Sequence, residues 1–242
     1  MKGLFITFEG TEGGGKSTQI GWLARRLREQ GLDPRVLREP GGTPIGEEIR
    51  HTLKHSEQNH AMTPETELLL MNASRAQLVR EVIRPALAAG EIILCDRFYD
   101  STTAYQGYGR QLDAGLVQAM IDFAVGEIRP DLTLLLHLPL ELSEVRRRAR
   151  QFQFSMSSDP HAAESPVVAS PQAGPAYVRG LAPVRDRMEE ADRAFFERVE
   201  AGFLAIAAAE PARVRLVDAT QNVEAVAAAI WACVGPLVMA NR

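Results

Sequence analysis

Short continuous apolar runs alternate along this chain with longer stretches in which apolar residues recur every three or four positions. The first run, residues 4–8 (Leu-Phe-Ile-Thr-Phe), ends on glycines and predicts a buried strand. From 17 to 30 the spacing turns helical, with Ile20, Leu23, Ala24 and Leu27 on one face and Gly31 just past the end. Val36 and Leu37 lead into a Pro/Gly-rich loop at 38–43, and 44–55 predicts a second helix. Thr63-Pro64 supplies a capping hydroxyl and then a proline at the first helical position. That helix should run toward Ala89, bend at Pro85 and stop at Gly90. Residues 92–95 and 132–138 read as further buried strands and 214–217 as a weaker one. A helix with Met188, Ala191, Phe195, Val199 and Phe203 on one face should run from about Arg185 to Ala209. Buried strands alternating with amphipathic helices predict an α/β fold, a central parallel sheet with helices on both faces. At 242 residues the chain fits one such domain, spanning 1–242.

Composition narrows the class. Apolar residues make up 45% of the chain and charged residues 24%, enough to bury a full core. Lys and Arg number 27 against 31 acids, a net charge of −4, which is not the footprint of a nucleic-acid binder. Cys95 and Cys233 are too few for a disulfide framework or a zinc cluster. Glu9 ends the only apolar run near Met1, so no signal peptide is read there. The uncharged tract 225–241 is short for a membrane span and holds Gly235 and Pro236; it reads as a buried C-terminal helix. The expectation is a soluble, reduced, cytoplasmic protein with no nucleic-acid or membrane partner.

One segment breaks the pattern. Residues 151–184 carry five prolines, five serines and six alanines but only three formal charges. That is too long and too poor in periodicity for an ordinary connection. It reads either as a flexible surface insertion or as a lid that orders on ligand binding.

The chemistry begins at Gly10-Thr11-Glu12-Gly13-Gly14-Gly15-Lys16-Ser17, which satisfies G-x-x-x-x-G-K-[ST] between a predicted strand and a predicted helix. Glycines let backbone N–H groups converge on phosphate oxygens, and the helix presents its positive end to the same charge. A nucleoside triphosphate is therefore the expected ligand of residues 10–18, Thr18 included. Lys16, expected as an exposed loop cation, can reach the β- and γ-phosphates, and the Ser17 hydroxyl can bind Mg²⁺. Asp96, closing the strand at 92–95, stands where such enzymes keep the carboxylate that orients the metal shell. None of the three lysines follows an asparagine, so the N-K-x-D signature of guanine-specific GTPases is missing. Residues 96–110 pack two acids, Arg97, Arg110, Gln106 and three tyrosines together, a mixture suited to a phosphate and a flat base.

At these residues the chain resembles bacterial thymidylate kinases, P-loop kinases of nucleoside monophosphates. The resemblance covers 5–18, 38–43, 68–77, 96–110, 129–132 and 186–189. It rests on the Arg38-Glu39-Pro40-Gly41-Gly42-Thr43 block and the Asp96-Arg97-Phe98…Ala104-Tyr105-Gln106 block occurring together. The resemblance implies transfer of the ATP γ-phosphoryl group to dTMP, giving dTDP and ADP for dTTP synthesis, with Mg²⁺, in a homodimer. It makes Arg97 the arginine on the acceptor phosphate and Arg75 the donor to thymine O4. A donor there opposes cytosine, whose N4 amino group is itself a donor at that edge. Glu12 would contact the sugar 3′-hydroxyl or the metal shell, and Tyr105 would crowd the sugar 2′ position. Thr102, Gln106, Arg50, Glu39 and Met71 fall at further acceptor-site positions.

Three departures from the family pattern stand out. Met71 replaces the aromatic that usually stacks on the base, His137 stands where Asp is common, and the 151–184 insertion separates Arg150 from Arg185. By resemblance to the bacterial type, whose P-loop likewise leaves this role to the lid, the transition-state cation should come from the lid, with Arg148, Arg150 and Arg185 as the candidates. Two other readings stay open at this stage: a P-loop kinase for another nucleoside monophosphate, and a nucleotide-binding relative without transfer activity.

Overall fold

The computed structural model describes residues 3–146, 149 and 191–240. Five strands, β1 (Leu4–Glu9), β2 (Arg35–Arg38), β3 (Ile92–Asp96), β4 (Leu132–His137) and β5 (Val214–Asp218), form one sheet in the order β2-β3-β1-β4-β5. Every pairing is parallel, with Phe8 opposite both Asp96 and Leu134. The expected parallel α/β architecture is the observed one.

Period-two alternation in the buried central strand decides which helices cover which face. Leu4, Ile6 and Phe8 point to the side covered by α1 (Lys16–Glu29) and α9 (Val223–Ala240), where they meet Ile20, Leu23, Leu27, Ile230 and Val234. Phe5 points to the other, with Ile93 and Cys95, against α3 (Pro64–Leu78), α4 (Arg84–Ala88) and α6 (Ala114–Val125). A third cluster joins Leu135 to Tyr105 and to Phe195, Val199 and Phe203 of α8 (Arg193–Ala209). The remaining α-helices among the described residues are α2 (Pro44–Lys54), α5 (Tyr99–Thr102) and α7 (140–146). Edge strand β2 fully buries only Leu37, with Val36 half-buried against the core, so its apolar signature is just these two residues.

Several boundaries differ from expectation for identifiable reasons. Thr63 caps α3 as predicted, its hydroxyl accepting from Thr66 N at 3.3 Å. The helix does not simply bend at Pro85, however. It opens into a wide, π-type turn over Val79–Ile83 just upstream, because proline cannot donate the next α-helical bond. A second wide turn, Thr103–Gly109, follows α5. The helix expected from Arg185 is corrected: α8 begins at Arg193, where the Asp192 carboxylate accepts from Phe195 N at 2.7 Å and Ala191 lies in a bend outside it. Met188, with the rest of 185–190, and the segment 151–184 lie outside the described residues. Of the tract 225–241, the described residues to Ala240 lie in α9 with only one face buried, through Val226, Ile230, Val234, Gly235 and Val238, so it is not the buried helix expected. Among the described residues α9 is the one helix long and apolar enough to cross a membrane by length and composition.

Candidate active site

β1 delivers the chain to a loop that only glycines can make. Gly10, Gly13 and Gly15 have φ of 125°, 81° and 82°, and a Cβ on Gly10 would run into the Leu136 carbonyl of β4. No side chain caps the start of α1, which leaves its first N–H groups facing the loop, the arrangement that favours anions. Lys16 is buried, not exposed as expected. Its Nζ folds back to donate to the Gly10 and Thr11 carbonyls, each at 3.0 Å. Burial, with Arg97 as a like-charged neighbour, lowers its pKa to about 8.

Parallel pairing of β1 and β3 sets Asp96 beside the loop, and Ser17 Oγ donates to Asp96 Oδ2 at 3.1 Å. A hydroxyl and a carboxylate are hard oxygen donors, the kind Mg²⁺ takes when most of its shell comes from phosphate and water. No cluster of three His, Cys, Asp or Glu side chains that could cage a metal exists among the described residues. The donor set therefore suits a magnesium ion shared with substrate phosphates. Thr18 lies exposed on the same first turn, and Gln19 Nε2 binds the Val223 carbonyl at 2.9 Å, tying α1 to the start of α9.

Arg97 follows Asp96 in the left-handed region, φ 70°, which costs a non-glycine residue energy that its surroundings must supply. Its guanidinium donates to the Gly10 carbonyl at 3.0 Å, Ser101 Oγ at 3.0 Å, Glu12 Oε1 at 2.8 Å and Tyr105 Oη at 3.3 Å. The turn is held from beneath by Glu9, whose carboxylate accepts from Phe98 N at 2.7 Å and Ser101 Oγ at 2.5 Å. Burial, then the nearby Asp100, push Glu9 up to about 7. Glu12 goes the other way: burial opposes ionisation, but Arg97 and Lys16 outweigh it and bring the carboxyl to about 2.

The far side of Arg97 is walled by α3 and the wide turn Thr103–Gly109. Arg75 is almost wholly buried, donating from Nε to Glu39 Oε2 at 2.7 Å, from Nη1 to Asn72 Oδ1 at 3.2 Å and from Nη2 to the Phe98 carbonyl at 3.2 Å. Burial outweighs Arg75 and raises Glu39 to about 7, and Glu39 Oε1 finds no partner in the structure. Met71 sits one turn before Arg75 on the same face, half-buried. Arg50 donates to the Pro40 carbonyl at 2.9 Å and so braces the loop that carries Glu39. Thr102 is buried at the mouth of the wide turn. Tyr105 packs edge-on against Phe195 and Phe203 while its hydroxyl reaches Arg97, so it serves core and site together. Gln106 is buried and donates to Glu67.

Sequence reasoning missed Glu9, Ser101, Glu67 and Arg146. Glu9 was visible as an acid closing an apolar strand, and Glu67 as an acid leading into the apolar run Leu68–Leu70. Arg146, on α7, donates to the Ala219 carbonyl at 3.1 Å and lies against Gly13 of the loop. Arg148, Arg150 and Arg185 fall outside the described residues. His137 does not enter the phosphate site: its Nε2 meets Glu200 Oε1 of α8 at 3.0 Å.

With this geometry in view, comparison with known proteins is informative. A model of the thymidylate kinase family matches residues 8–161. A thymidylate kinase from Pseudomonas syringae pv. syringae is 45% identical over 238 residues, covering 98% of this chain and 96% of that protein. One from Thermomicrobium roseum is 44% identical over 238 residues, covering 98% and 97%. The crystal structure of thymidylate kinase from Ehrlichia chaffeensis is similar with a TM-score of 0.68 at 27% identity, covering 97% of this chain and 99% of that one.

Proposed function

The chain belongs to the thymidylate kinase family, and on that premise we propose that it transfers the γ-phosphoryl group of ATP to dTMP, giving dTDP and ADP. The observation that carries the reading is the reach of Arg97. One guanidinium touches the first carbonyl of the P-loop and Tyr105 on the acceptor side, so a single cation stands where donor and acceptor phosphates would meet.

The acceptor phosphate has a second pKa near ~6 and is largely dianionic at neutral pH, so it needs no general base. The protein's part is positioning and charge stabilisation. Residues 10–18 cradle the ATP phosphates, and Lys16 exchanges its two loop carbonyls for phosphate oxygens, which are stronger acceptors. Arg97 turns to the acceptor phosphate, freeing Glu12 to accept from the sugar 3′-hydroxyl. Arg75 keeps further N–H groups for thymine O4, with Glu39 fixing its plane, Met71 packing on the ring and Tyr105 limiting the sugar 2′ side. Thr102, Gln106 and Arg50 shape the same pocket. Ser17 and Asp96 would hold a magnesium ion, which when bound supplies charge neutralisation at the phosphates. Arg148, Arg150 or Arg185 supplies the transition-state cation, and Arg146 is the neighbour of the loop that orients α7.

The enzyme works in the cytoplasm as a homodimer in this reading. Leu69 of α3 and Leu116 and Phe123 of α6 support the dimer, because these packed neighbours expose large apolar side chains, Phe123 by 83%. The direct test is product identification: ATP, Mg²⁺ and dTMP with the purified protein yield dTDP and ADP in equal amounts. ADP formed without dTDP would reject transfer to dTMP.

A further inference from the structure

Glu67 has no part in the phosphate chemistry, yet it is among the most buried acids of the described chain. It lies in the first turn of α3, about two turns before Arg75, and only 1% of it is exposed. An ionised carboxylate there is costly unless well paired. The pairing comes from across the base pocket. Gln106 Nε2 donates to Glu67 Oε1 at 2.8 Å, Arg110 Nε to Oε1 at 3.2 Å and Arg110 Nη2 to Oε2 at 2.9 Å.

These partners hold the wide turn Thr103–Gly109 from one side, while α8 holds it from the other. The Arg110 guanidinium lies over the Phe195 ring at 4.6 Å, and the Gly109 carbonyl accepts from Arg198 Nε and Nη2 at 3.1 and 2.9 Å. Contact is close enough that a Cβ on Gly109 would lie 2.6 Å from Phe195 Cε2. A π-type turn carries a surplus residue and a poorer bonding pattern than an α-helix. Its position is therefore set by what grips its side chains.

We propose that Glu67 is a positioning residue for the acceptor base. By gripping Gln106 and Arg110 it sets the spacing between α3, which carries Met71 and Arg75, and the turn that carries Tyr105 and Gln106. The width of the pyrimidine slot follows from that spacing. Gln106 thereby serves as the strut between the two walls, with an amide N–H committed to Glu67. This assignment rests on the acceptor-site reading above.

The test compares the parent enzyme with Glu67→Gln and with the double variant Glu67→Met/Arg110→Met, which removes both charges and leaves none buried and unpaired. Steady-state KM for dTMP and for ATP, and the melting shift produced by saturating dTMP, are measured on each. Loss of a charge-assisted strut should raise the dTMP KM about tenfold in both variants while the ATP KM stays within about twofold. The dTMP-induced melting shift should shrink in step, even where the double variant melts like the parent. A folded double variant with the parent's dTMP KM, or an equal rise in both KM values, overturns the role of Glu67. The parent is assayed alongside; its failure to turn over dTMP would instead overturn the functional reading itself.

Discussion

Lys16 and Arg97 donate to the same oxygen, the Gly10 carbonyl, each at 3.0 Å. Two cations this close repel, and burial together with that repulsion lowers the pKa of Lys16 to about 8. Glu12 and Asp96 keep the arrangement tolerable by supplying negative charge on either side. A phosphate oxygen offers both donors a charged acceptor in place of a shared neutral one.

Replacing Lys16 by methionine removes the charge and keeps much of the buried stem. The variant should fold, as judged by circular dichroism and melting, and lose about a hundredfold to a thousandfold in kcat. That is the loss of one preorganised charge contact, roughly 3–4 kcal/mol of barrier. A folded variant with near-parental kcat would contradict the role of the P-loop.

Arg75→Ala tests less cleanly than its place in a base pocket suggests. Arg75 and Glu39 are 2% and 3% exposed at the side chain, so truncating the arginine leaves a buried carboxyl without its partner and opens a cavity beside it. The expected cost is about 3–5 kcal/mol, or a melting point lower by roughly 10 °C. The double variant Arg75→Met/Glu39→Met should recover most of the melting point but not the dTMP KM. Recovery of both would make the pair purely structural.

The contrast between these two sites explains what could be read in advance. The P-loop is eight contiguous residues whose glycines are demanded by local backbone geometry, so β1, the loop and α1 were visible as one unit. Asp96 was visible because a strand end is a position that the pattern itself defines. The Arg75–Glu39 pair is 36 residues apart in sequence and the Glu67–Arg110 pair 43 apart, and no periodicity links them. The resemblance named Arg75, but nothing in the spacing said that it would be buried against its own partner. The wide turns escaped for a related reason: a surplus residue in a helix is specified by tertiary contacts, such as Tyr105 against Phe203, more than by local preference. Asp192, by contrast, was a legible cap that the longer apolar stripe obscured.

Glu39 also predicts a pH dependence of stability. Burial, opposed by Arg75, lifts its carboxyl from 4.5 to about 7. Between those values the folded protein holds a proton that the unfolded chain has released. The stability associated with that proton is present below about pH 4.5 and is lost as the pH rises to about 7. Glu39→Gln cannot ionise, so its melting point should fall less than the parent's between about pH 5 and pH 7.5. Parallel melting curves across that interval would show that Glu39 is ionised throughout.

The missing transition-state cation gives a further prediction. The P-loop has no arginine, so at least one of Arg148→Ala, Arg150→Ala and Arg185→Ala should lower kcat by about a hundredfold or more at saturating ATP and dTMP. Three fully active variants would transfer that role elsewhere, with Arg146 the first residue to change next.

Acceptor choice tests the central claim most directly. ADP release is followed with ATP and Mg²⁺ against dTMP, dUMP, UMP, dCMP, CMP and AMP, and kcat/KM is compared across the set. A site in which Arg75 presents a donor to the base edge should favour dTMP over dCMP by about a hundredfold or more. Crowding by Tyr105 should likewise favour dUMP over UMP. Equal or greater kcat/KM for a cytidine or adenosine monophosphate, or no turnover with any acceptor, would contradict the account.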